Sequence, residues 1–109
     1  MSLDITLRLP DKEQPVWNGN ITHNLGPMAN YVGLYDILWR PEEHKIYAAG
    51  QVSTRLMAGI SALVLYEDHL RTNYTPSNGW GSYEGLLDFC LEYLEASLRY
   101  PDANVEVSR

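Results

Sequence analysis

Residues 82–99, SYEGLLDFCLEYLEASLR, constrain this chain more than any other stretch. Tyr83, Leu86, Leu87, Cys90, Leu94 and Leu98 recur at the three- and four-residue spacing of one helix face. Ser82 is placed to cap that helix and Pro101-Asp102 to stop it. A helix with one long apolar stripe has to lay it against a partner layer, and the partner is legible elsewhere in the chain. Asp4-Ile5-Thr6-Leu7-Arg8-Leu9 alternates strictly, which puts Ile5, Leu7 and Leu9 on one face of a half-buried strand. Val16 to Thr22 reads as a second strand returning across the Pro10–Pro15 turn, with Asn18-Gly19 as a bulge or tight turn inside it. Val105 and Val107 alternate again near the end. An isolated hairpin is marginal in water, so the strands near 3–9, 16–22 and 104–108 are expected to share one sheet. The expected fold is α+β: a small, mostly antiparallel sheet of two or three strands, with three or four helices packed on one face.

The middle of the chain supplies the other helices. Asn24 reads as an N-cap, Pro27 is tolerated in the first turn, and Gly33 ends the segment as a left-handed cap. A short helical turn follows over Leu34–Trp39, and Pro41-Glu42-Glu43 suits a new helical start. From Gln51, the positions Val52, Leu56, Gly59/Ile60 and Leu63/Val64 mark the most buried helix, expected to fray within Asp68–Asn73. With no repeat, linker or low-complexity segment, residues 1–109 are expected to form a single domain.

Charge and cysteine usage exclude several functions. Net charge is −6, with eight basic residues scattered rather than clustered, so nucleic acid is not an expected partner. The most apolar window, Met57–Tyr66, is too short to cross a bilayer and is broken by Gly59 and Ser61. No basic-then-apolar leader opens the sequence, and the lone Cys90 cannot form an internal disulfide, so the expected setting is cytoplasmic and off the membrane. His23, His44 and His69 lie far apart in sequence and in no metal-ligand spacing, and no nucleotide-binding or nucleophile motif is present. No metal or cofactor is therefore expected. Nothing asks for catalysis, although an unmotifed Glu–His pair stays open.

Three stretches could still carry chemistry. Asn18–Asn24 runs polar into a helix start, where Asn20, Thr22, His23 and Asn24 could receive a ligand or simply cap the helix. Asn78-Gly79-Trp80-Gly81-Ser82-Tyr83-Glu84 places an indole between two glycines. Either the glycines swing Trp80 inward as a plug on the core, the favoured reading, or they build a cradle of backbone N–H groups beside an aromatic platform. Glu84, Asp88, Glu92 and Glu95 share one side of the last helix, more simply a solvated face than a site for a divalent cation or a basic partner.

The segments NITHNLGPMA, LWRPEE, NGWGSYEGLLDFCLEYLEA and PDANVEVSR resemble a family of small uncharacterised proteins encoded by bacteria and their phages, over most of the chain from Asn20 onward. The resemblance brings no catalytic residues. It implies a cytoplasmic, prophage-type setting and draws interest to the two Asn/Gly segments. The leading expectation is a non-enzymatic module that binds another protein through Trp80, Tyr83 and the carboxylate row, with homo-oligomerisation left open. The alternative is a small-ligand-binding or hydrolytic protein whose site lies between residues 18–24 and 78–84. The two part on geometry: the alternative needs Asn24 and Trp80 in one cleft.

Overall fold

The computed structural model describes residues 1–109. Strict alternation carries straight into its sheet. Strand β1 (Ser2–Arg8) buries Leu3, Ile5 and Leu7 completely and turns Asp4, Thr6 and Arg8 to the opposite face. β1 is the central strand, flanked on both sides by antiparallel partners, β2 (Trp17–Thr22) and β3 (Asn104–Ser108). The outer face is polar and laced across the strands: Asn18 donates to Thr6 Oγ1, Asn20 to Asp4, and Arg8 to Glu106. The inner face carries five helices: α1 (Gly26–Tyr31), α2 (Tyr35–Trp39), α3 (Ser53–Leu65), α4 (Glu67–Tyr74) and α5 (Tyr83–Arg99).

Four local expectations change in the structure. Asn18-Gly19 makes neither bulge nor turn, because Gly19 stands in regular register opposite Ile5. Glycine is needed there for space: a Cβ would come within 2.8 Å of the Phe89 ring and would also meet Trp17. The Trp17 ring stacks on Tyr93 at 5.0 Å between centroids and meets Phe89 edge-on at 5.6 Å. Asn24 is not the cap. The chain leaves β2 extended at Thr22 and tightens first into a 3-10 turn over His23–Leu25, so Thr22 Oγ1 accepts from the Asn24 N–H at 3.2 Å. Residues Asp68–Asn73 do not fray. The chain breaks at Tyr66 and restarts as α4, anchored by buried Leu70 and a Glu67–Arg71 ion pair at 2.7 Å.

The fourth change concerns α5. Its buried face runs through Tyr83, Leu86, Phe89, Cys90, Tyr93, Ala96 and Ser97, while Leu87 and Leu94 are half-buried and Leu91 and Leu98 are exposed. The stripe is turned toward Phe89 and Tyr93, because those rings reach β2 and bury more area than the leucines could. Cys90 stays inside this face. Burial pushes its thiol up to about 12. The fold thus favours the neutral thiol; that contribution is complete below the ordinary thiol range and fades as pH climbs toward about 12. Native protein is expected to resist iodoacetamide at mildly alkaline pH while urea-unfolded chain reacts fully, as read by mass. Equal labelling rates would contradict the buried position.

Candidate functional site

Two turns meet where β2 runs into α1. In the first, the 3-10 turn projects His23 and Asn24 beside Asn20 and Thr22 from the strand end. In the second, Gly79 and Gly81 adopt φ of +79° and +108°, backbone conformations that side chains rarely tolerate. Between them the Asn78 side chain accepts from the Trp80 N–H at 3.0 Å, and Ser82 Oγ then caps α5 by accepting from Gly85 N–H. Gly81 also brings the turns together. A Cβ on it would lie 2.8 Å from Thr22 Cγ2 and 3.0 Å from Leu25 Cγ, so only glycine lets the second turn press against the first. Asn24 Nδ2 donates to the Trp80 carbonyl at 3.4 Å across the join.

The result is a cleft of about 510 Å³ lined by Met1, Ser2, Asn20, Thr22, His23, Asn24 and Trp80. Trp80 is not a core plug. It is 71% exposed and forms one wall, because Asn78 and the two glycines hold its backbone against β2 and leave the ring outside. No family model matches this chain, and no curated protein or solved structure matches it either.

The hydrogen bonds around the cleft decide what each group can still offer. Buried Trp39 donates its indole N–H to His23 Nδ1 at 2.8 Å, and an indole can only donate. The neutral His23 ring must therefore carry its hydrogen on Nε2. Trp39 is itself fixed by stacking on Tyr35, 5.1 Å between centroids, while Arg109 from the β3 end holds its carbonyl at 2.6 Å and Glu42 at 3.1 Å. Asn20 spends its amide hydrogens on Ser2 Oγ at 3.0 Å and Asp4 at 2.8 Å, leaving its carbonyl oxygen as an acceptor. Asn24, with its amide on Trp80, likewise keeps an acceptor oxygen. Of the expected cradle of backbone N–H groups, Trp80 spends its own on the Asn78 side chain, as Asn24 does on Thr22 and Gly85 on Ser82.

Other residues from the sequence reading serve different ends. Tyr83 is buried, donates its hydroxyl to the Leu63 carbonyl at 2.7 Å, and lies under the Arg71 guanidinium at 4.6 Å. Glu84 pairs with Arg71; the backbone N–H at the helix start, and then Arg71, hold its carboxyl below the usual range. Both belong to the α4–α5 junction, outside the cleft. Glu95 pairs with Arg99, whereas Asp88 and Glu92 border a shallow groove beside β2. No three His, Cys, Asp or Glu side chains gather as a metal site, and no helix is long and apolar enough to cross a membrane. Sequence reasoning missed Ser2, Met1 and Trp39. Alternation of β1 could have placed Ser2 beside Asn20 once the register was known, but nothing local ties Trp39 to His23.

Proposed function

We propose that this protein binds a small, neutral, ring-bearing molecule in the cleft between residues 20–24 and Trp80. The convergence of an exposed indole with Asn20, Thr22, His23 and Asn24 in one cleft carries the reading. Trp80 supplies a stacking platform, and the flanking groups supply matched donors and acceptors: the His23 Nε2–H, the Thr22 hydroxyl and two amide oxygens. A planar heterocycle with its own donors and acceptors, such as a nucleobase or nucleoside, fits that set. Anions fit poorly, since no lysine or arginine lines the cleft and the chain is net negative. Hydrolysis is also disfavoured. A general base needs a free lone pair toward substrate, and the lone pair of His23 is turned to Trp39. A protein-docking surface built jointly from Trp80 and Tyr83 loses one of its two anchors, because Tyr83 is only 3% exposed.

The test is a titration with adenosine, followed by the emission of Trp80, the most exposed of the three tryptophans. Saturable quenching is expected. Trp80→Ala, read by calorimetry because the reporting indole is gone, should weaken binding about 5- to 100-fold, the worth of one stacked base, while leaving stability within about 0.5 kcal/mol. A variant that binds as before, or one that melts far below the parent, would count against the cleft as described.

A further inference from the structure

One apolar strip lies outside the cleft and is left partly uncovered by the chain. Leu87, Leu91, Leu94 and Leu98 repeat along α5 at intervals of four, three and four, the spacing of a helix-on-helix seam. Leu91 and Leu98 are 46% and 58% exposed, and Leu87 and Leu94 flank them, partly buried against the core. Helix α3 runs antiparallel beside α5: the start of α5 meets the end of α3 through Tyr83 and Leu63, and Gly50, just before α3, donates to Pro101 beyond α5. Helical spacing puts Met57 and Val64, 44% and 60% exposed, on the α3 flank next to that seam. The paired helices thus present one apolar strip on the side away from the sheet.

We propose that this strip binds a second copy of the same chain, α3 of each copy lying over α5 of the other about a two-fold axis along the helices. Charge selects that occupant and that arrangement. On the side of α5 away from α3, Asp88 and Glu92 have no cationic partner within the chain. Arg55, on the far side of α3, is likewise without an ion pair. The two-fold axis along the helices keeps the two acidic rows apart and sets each opposite Arg55 of the other copy, whereas α5 over α5 would stack like charges. The area is sufficient for a modest dimer. Helix α5 is about 26 Å long and a helix pair about 20 Å wide, so each copy covers about 500 Å², near the lower limit for a specific interface.

Sedimentation equilibrium of the full chain tests this. Reversible dimerisation is expected in the micromolar range. Leu91→Lys with Leu98→Lys should weaken it about a hundredfold or more, with circular dichroism unchanged because both positions are exposed. Arg55→Glu should weaken it, and adding Glu92→Arg should restore part of the loss, a rescue that a misfolded variant could not show. A wild-type chain that stays monomeric at ~0.5 mM would overturn the proposal. So would a dimer indifferent to both sets of substitutions.

Discussion

Gly81→Ala is expected to lower stability by about 2–4 kcal/mol and to abolish ligand binding in the cleft, whereas Gly79→Ala should cost about 1 kcal/mol and spare it. Both glycines hold positive φ, so both substitutions strain the backbone. They differ in what surrounds them. Nothing lies within 4 Å of a Cβ on Gly79, while one on Gly81 meets Thr22 Cγ2 at 2.8 Å and the Leu25 side chain. Leu25 is 2% exposed and has no room to retreat. Relief comes only by lifting the turn, which breaks the Asn24–Trp80 contact and moves Trp80 away from His23. Urea unfolding and the adenosine titration read the two consequences separately. If both alanine variants behave alike, the close approach at Gly81 is not what assembles the cleft.

Gly59→Val should lower stability by about 3 kcal/mol or more. Gly59 sits in the middle of α3, where glycine weakens a helix by about 1 kcal/mol relative to alanine. It is tolerated because α3 crosses the segment before α2 at this point. A Cβ on Gly59 would overlap the Cγ and Cδ carbons of Leu34, which is fully buried. Leu34→Ala alone should cost about 2–5 kcal/mol through the cavity it leaves. The double variant should cost at least about 1 kcal/mol less than the two single changes together, since the new valine fills the space the leucine vacates. Strictly additive losses in a denaturation cycle would show that the two residues do not meet.

Part of the cleft was readable before any tertiary contact was known. Both Asn/Gly segments stood out by composition, and Ser82 as the cap of α5 follows from the sequence alone. Trp80 was misplaced for a definite reason. Burial energy favours an inward tryptophan, but a turn with two positive-φ glycines and an Asn78 cap fixes the backbone first, and the ring goes where the backbone leaves it. The role of Trp39 was not readable at all, since its bond to His23 spans sixteen positions and depends on how α2 packs.

By itself the sequence determined the elements that repeat locally: the alternating strand β1, the long helix α5, the left-handed stop at Gly33, and hence an α+β layer arrangement with the helices on one face. Those signals are periodic, and a period needs only neighbours a few residues apart. Tertiary structure decided the rest. It turned the buried face of α5 toward Phe89 and Tyr93, required glycine at 19, 59 and 81 for close approach, and joined residues 20–24 to Trp80 in one cleft. Close approach is a property of two surfaces at once, so no stretch of chain on either side contains it.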